Sequence, residues 1–296
     1  LVERAARAAR ITRSGLPLPL TLVRMLLVTA ATLAATRPFL GDGSPPRGER
    51  LVVGDPTRRI ELVTAGPLTD GAVVALRAAL EALARGRPES FPTVERVAVS
   101  EAGRAGDASR LIVLTDGAVP TGDEAARLAN AVRDGAALVV CLGPESVVAP
   151  LLPPMSAWLE DLVGVSVAGS VSLEDEAIVA LEAAAAEPSR GAVELAGPRV
   201  NRVAELVLKR DSRTAATVLA RSSTTSRPLL VEGAVGRGRV VVSALPLTLP
   251  QAGGGQAPWS DLAAWPAFVP LVDRLVTSLL EPTSETPGSA SRFVGR

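Results

Sequence analysis

The chain has 296 residues, 47% of them hydrophobic, with 31 basic and 31 acidic side chains and no histidine. That length allows one large or two ordinary domains with ample apolar material for a core, and the balanced charge creates no global field for nucleic acid. The missing histidine removes the commonest general base and metal ligand, and the single cysteine, Cys141, permits neither an internal disulfide nor a cysteine-based zinc cluster.

Lys209 is the only lysine, tyrosine is absent, and Ala, Gly and Pro are abundant. This pattern fits the codon bias of a GC-rich genome, so the arginine excess is poor evidence for phosphate binding. The sequence starts at Leu1 rather than Met, and a fragment lacking upstream residues is expected. Residues 1–15 carry Arg4, Arg7, Arg10 and Arg13 against one acid, Glu3, and read as a basic cytoplasmic segment. Leu16–Thr36 is apolar apart from Arg24 and some threonines. A bilayer span needs about 20 such residues. Arg24 would cost roughly 2.5–3.5 kcal/mol in mid-membrane. It lies two turns into the segment, where its stem can snorkel back to the basic flank. Residues 16–40 therefore predict one transmembrane helix with its Arg-rich end cytoplasmic. A buried amphipathic helix and a cleaved signal peptide are the alternatives, although no clean small-x-small site follows.

Residues 41–59 read as a linker, Gly/Pro-rich at the start, with Leu51–Val53 a possible edge strand. Ile60–Thr64 predicts the first strand of a sheet. Thr69 caps a predicted helix whose Val73, Leu76, Leu80 and Leu83 share a face and which ends at Gly86. Val94–Val99 is the next strand. Leu111–Leu114 is a short apolar run closed by Thr115-Asp116-Gly117. Thr121 and Glu124 form a capping box, Ala125, Leu128, Ala129 and Val132 share a helical face, and Gly135 suits a left-handed C-cap. Ala137–Leu142 is a second apolar run. Strand, helix and strand of this character predict a βαβ unit of a parallel sheet.

Past Pro150 the pattern loosens. Leu151–Pro154 reads as a break, Trp158–Val167 as a short helix and strand, and Glu174–Glu187 as an Ala-rich helix stopped by Pro188. Then come four predicted strands, Val203–Leu208, Ala215–Arg221, Pro228–Val235 and Arg239–Leu245, with Gly236-Arg237-Gly238 a hairpin turn. Gln251–Gln256 is a loop, Pro266–Leu280 a helix, and 281–296 a disordered tail.

Cys141 falls where a nucleophile elbow belongs in α/β enzymes, and Cys141-Leu142-Gly143 resembles the Cys-x-Gly of class I glutamine amidotransferases. Val139 stands where that family keeps a small residue. Leu245-Pro246 stands where its His-Pro follows a Gly-x-Gly hairpin. Without a partner base the thiol is unreactive, so Cys141 reads as a buried structural residue. Leu114-Thr115-Asp116-Gly117 resembles the third metal-site motif of von Willebrand A domains. The Asp-x-Ser-x-Ser that those domains require is absent, and one carboxylate is a weak site for a hard cation. Asp116 reads as a turn residue. No P-loop or dinucleotide fingerprint is present. If the sheet binds a small ligand, the crevice at the strand carboxyl ends is the place, lined by Asp116, Gly117 and Gly143.

The chain resembles the bacterial BatA-related, aerotolerance-type membrane proteins. Arg24 and Ala34-Ala35-Thr36-Arg37-Pro38 are similar to the second span of their N-terminal transmembrane module, whose first span would lie upstream of Leu1. Val218–Arg221, Pro228–Glu232, Gly236–Val240, Trp259–Leu262 and Pro266–Leu271 follow in that family's order. The resemblance covers roughly 16–40 and 60–280. It implies a degenerate class I glutamine amidotransferase-like domain outside the cytoplasm, on the bacterial inner membrane. It also implies work beside von Willebrand A-type proteins and an AAA+ ATPase system. The expected fold is α/β: a flavodoxin-like or amidotransferase-like open, mostly parallel sheet over residues 60–280, with a β-rich C-terminal part, preceded by one transmembrane helix. The expected function is a non-catalytic, membrane-anchored interaction or scaffold protein with no cofactor, no metal and no nucleic-acid partner. A small-ligand sensor and a Cys141 hydrolase are the alternatives.

Overall fold

Ten strands hydrogen-bond into one mixed sheet in the order β1-β3-β2-β4-β5-β10-β9-β8-β6-β7. The computed structural model of the chain describes residues 49–65, 71–104, 110–180, 198–209, 216–222, 225–247, 259–266 and 268–280. The strands are β1 (Glu49–Val52), β2 (Asp55–Val63), β3 (Pro92–Val97), β4 (Arg110–Leu114) and β5 (Ala137–Cys141), followed by β6 (Val165–Ala180), β7 (Arg199–Leu208), β8 (Thr217–Ser222), β9 (Pro228–Val235) and β10 (Gly238–Ser243). The helices are α1 (Gly71–Gly86), α2 (Asp123–Arg133), α3 (Leu152–Val163) and α4 (Phe268–Leu280). Strands β3, β2, β4, β5 and β10 run parallel and form the centre. β1 joins one side antiparallel, and β9, β8, β6 and β7 continue antiparallel on the other. The class is α/β, with a parallel centre and a β-rich C-terminal part.

The centre follows from composition. Every residue of β4 and β5 is buried, which continuous apolar runs permit only when both sheet faces are covered. α2 connects them and buries Leu128, Ala129, Ala131 and Val132. Its start departs from the expected capping box. The helix begins at Asp123, and the Thr121 hydroxyl does not cap it. Only the reciprocal half forms, the Thr121 N–H donating to the Glu124 carboxylate at 3.3 Å. At its other end Gly135 takes φ +119°, where glycine is least strained. The β9–β10 hairpin packs hard against this end. A Cβ at Gly238 would lie 2.2 Å from the carbonyl oxygens of both Val132 and Ala136, so only glycine fits.

α1 and α4 pack on one another. α4 buries Phe268, Val272, Val276, Leu279 and Leu280. Its last carbonyls are met by arginines from the amino ends of two strands: Arg58 donates to Leu280 O at 3.3 Å, and Arg239 donates to Ser278 O. Cations there complement the negative end of the helix dipole.

Two expectations are corrected. Leu151–Pro154 is no break: α3 begins at Leu152, with its prolines in the first turn, where their missing N–H groups cost nothing. The predicted Glu174–Glu187 helix is, over Glu174–Ala180, a continuation of β6. There Ala177 pairs with Val200 and Val179 with Ser222, so strands on two sides outweigh a helix preference worth only about 0.7 kcal/mol per residue. Smaller shifts move the expected Val94–Val99 to Pro92–Val97, and Pro266–Leu280 to Phe268–Leu280. Residues 1–48 with the expected span, the Thr69 cap, 181–187, the 251–256 loop and the 281–296 tail lie outside the described residues. Among the described residues no helix is long and apolar enough to cross a membrane.

A row of charge that no local pattern in the chain announces crosses the β1-β3-β2-β4 side of the sheet. Arg50 Nε donates to Glu95 at 3.3 Å, Arg59 Nη2 lies 2.5 Å from Glu95, and Arg59 and Arg110 each stand 3.7 Å from Glu61. Glu61 is 2% exposed and Arg110 4%. Glu61 also accepts the Gly103 N–H at 2.9 Å, fixing the turn after β3 to the sheet. Replacing one member of a buried pair strands the other. Glu61→Leu is therefore expected to lower stability in urea unfolding by about 3–5 kcal/mol, and Glu61→Gln, which keeps an acceptor for Gly103, by less.

Candidate functional site

The carboxyl ends of β4 and β5 bring Asp116, Gly117 and Gly143 together. β4 is anchored beside β2 because the Thr115 N–H and hydroxyl both donate to Val63 O at 3.0 Å. The next residue turns inward. Asp116 Oδ1 accepts from the Ser146 N–H at 2.8 Å and the Ser146 hydroxyl at 2.7 Å, and Oδ2 accepts from the Glu145 N–H at 3.1 Å. Ser146 Oγ in turn accepts the Gly117 N–H at 3.0 Å. Asp116 and Ser146 are both buried. The loop after β4 is thus tied to the loop after β5 through one carboxylate and one hydroxyl.

Both glycines are held by this knot. Gly117 has φ +78°, and a Cβ there would lie 2.4 Å from Glu145 Oε2. A Cβ at Gly143 would lie 2.5 Å from Asp116 Oδ2 and 3.0 Å from Pro246 Cβ. Gly143 packs against Asp116, and Gly117 against Glu145 and Ser146. Asp116 does more than shape a turn, because it closes the connection between two strands. Ser146 was not singled out from the sequence. Its signal was available: a serine shortly after the end of a buried strand, beside a neighbouring strand that ends in Asp-Gly, can answer that carboxylate with two donors.

Beneath the knot a recess of about 10 Å³ is lined by Leu76, Thr115, Asp116, Cys141 and Leu247. That is the room of a single water molecule. Cys141 is 3% exposed at the end of β5. Burial, and then the negative charge of Asp116, push its thiol up to about 12. The nucleophilic form is therefore suppressed at neutral pH. Ser243 is its register neighbour on β10, and Leu245-Pro246 follows without any imidazole.

No known family's sequence profile matches the chain, and no curated protein sequence matches it. Among solved structures it is similar to the cytoplasmic protein STM1381 from Salmonella typhimurium LT2, at 15% identity and a TM-score of 0.49, over 75% of this chain and 99% of that one. It is similar to the cytoplasmic protein STM3548 from Salmonella typhimurium at 12% identity and a TM-score of 0.48, over 75% and 98%. A β-galactosidase from Bacillus circulans sp. alkalophilus aligns at 12% identity and a TM-score of 0.42, over 64% of this chain and 29% of the enzyme. Likeness at this level carries no assignment of activity, location or partner.

Two measurements bear on this geometry. The folded state holds the Cys141 proton above its ordinary value of 9.0, so the thiol's contribution to stability is complete below about pH 9 and is lost as pH rises to about 12. Chemical unfolding at stepped alkaline pH should show that decline, Cys141→Ala should flatten it, and native Cys141 should resist alkylation at neutral pH. Asp116→Ala leaves three donors without their carboxylate and should cost about 3 kcal/mol, Ser146→Ala about 1–2 kcal/mol. The double variant should cost less than the sum, because the two residues share their contacts.

Proposed function

We propose that this chain is a non-catalytic, membrane-anchored interaction or scaffold protein of a Bat-like envelope system. Its α/β body, of flavodoxin-like or class I glutamine amidotransferase-like topology, is held outside the cytoplasm by a helix within residues 16–40. The observation that carries the non-catalytic part is the state of Cys141. The thiol sits where an amidotransferase nucleophile would sit, yet it is buried, held protonated and set near the Asp116 carboxylate. The whole chain contains no histidine to activate it. The water-sized recess beside it favours a packed scaffold over a sensor that admits a metabolite through Asp116, Gly117 and Gly143. The tether rests on the apolar Leu16–Thr36 segment and its basic flank. By analogy with the family it resembles, its partners are von Willebrand A-type proteins and an AAA+ ATPase system, with no nucleic acid and no cofactor.

Fractionation of bacteria expressing the full chain tests the tether. The protein should stay with the inner membrane through an alkaline carbonate wash, and protease added to spheroplasts should digest the body. Recovery of the uncleaved chain in the soluble fraction would overturn the anchoring. Steady hydrolysis of amide or ester substrates by the purified chain, lost in Cys141→Ala, would overturn the non-catalytic reading.

A further inference from the structure

The loop that follows β5 presents apolar surface with no charge in it. Residues 146–159 contain no acidic or basic side chain, in a chain that is 21% charged. Val148 is 52% exposed, Ala149, Pro150 and Pro153 are exposed, and Leu151 and Leu152 are half-buried. The tip stands on a fixed base. Ser146 is held by Asp116, and the Val148 carbonyl accepts the N–H groups of Leu151 at 2.9 Å and Leu152 at 3.0 Å. The sequence that leaves β10 at the same end is also free of charge, through residues 240–260. The turns at the opposite, amino end of the sheet differ. They expose Arg85, Arg87 and Glu89 before β3, Arg133 and Asp134 before β5, and Arg237 before β10. Charge at the carboxyl end lies beside the neutral run, as at Glu101, Arg104, Asp123 and Glu145.

The chain enters the body at this same end. β1 is antiparallel to β3, and its first residue, Glu49, stands opposite Arg96 near the carboxyl end of β3. Residues 41–48 join the proposed span to β1, and at no more than about 3.6 Å per residue they reach roughly 29 Å. We infer that the tip at residues 148–153 rests in the headgroup layer of the membrane that holds the chain, with the carboxyl end of the sheet turned toward the bilayer. Apolar side chains gain by burial at the boundary of headgroups and acyl chains, and charged ones lose. A fixed, neutral tip of valine, leucine and proline meets both demands, and a short linker entering at the same end keeps it within reach of lipid. The inference rests on the tether proposed above. It adds how the body is presented: the charged amino end of the sheet faces away from lipid, where protein partners can meet it.

The test places the full chain in phosphatidylcholine vesicles, in a Cys141→Ala background, with a nitrobenzoxadiazole label on Val148→Cys or on Glu89→Cys. Lipids carrying a shallow nitroxide should quench the label at 148 several-fold more than the label at 89, and its emission should shift to the blue. Flotation of the same vesicles keeps the tether separate. A chain that floats but shows equal quenching at the two positions, or none at 148, overturns this inference alone. A chain that stays at the bottom of the gradient overturns the tether and this inference with it. A label at 148 that is shielded in native membranes but not in protein-free vesicles overturns the inference in favour of a protein partner.

Discussion

The carboxylate of Asp116 fixes where the two central strands end. β4 and β5 are each fully buried, so their register against β2 and β10 is set by apolar packing, which is strong but carries little directional information. The directional element is at the carboxyl ends, where three donors from Glu145 and Ser146 converge on one side chain. An ionised acceptor in a low-dielectric setting makes such bonds stronger than neutral ones. The tie joins the loops after β4 and β5. In an open α/β sheet the crevice at these ends is the usual binding place. Here Gly143 and Gly117 allow the loops after β4 and β5 to approach each other closely.

Much of the parallel centre was legible in sequence because buried strands announce themselves. Leu111–Leu114 and Ala137–Leu142 are apolar without alternation, and a helix-period stripe lies between them. The antiparallel part was read less well. Glu174–Ala180 carries helix-favouring residues, and nothing local reveals that Val200 and Ser222 stand ready as pairing partners. The prolines of α3 misled in the opposite direction, since the same residue that breaks a helix interior is harmless in its first turn. At the strand ends, Asp116, Gly117 and Gly143 could be named from the sequence, but the hydrogen bonds that join Asp116 to Glu145 and Ser146 could not. Whether a carboxylate faces a void or a serine depends on a loop thirty residues away along the chain, which no local pattern encodes.

The charge row and the knot solve related problems differently. Asp116 satisfies its donors completely and is enclosed. Glu61 holds the Gly103 N–H but shares its other oxygen between two guanidiniums at distances too long for hydrogen bonds. Buried ion pairs of that quality add little net stability, because desolvation offsets much of the attraction. The observed register sets Glu61 opposite Glu95 and Arg59 opposite Arg110, and the contacts of Arg59 with Glu95 and of Arg110 with Glu61 run diagonally between those like-charged pairs and offset them.

β10 has a consequence for how the polypeptide matures. It lies beside β5 in space but follows it by about a hundred residues, with α3 and four antiparallel strands in between. A nascent chain released only as far as β9 has a central strand with one flank bare, its amide groups unpaired and its sulfur open to solvent oxidants. Synthesis must run through Ser243 before that flank is sealed, which makes the late hairpin the step at which a vulnerable intermediate becomes a finished protein.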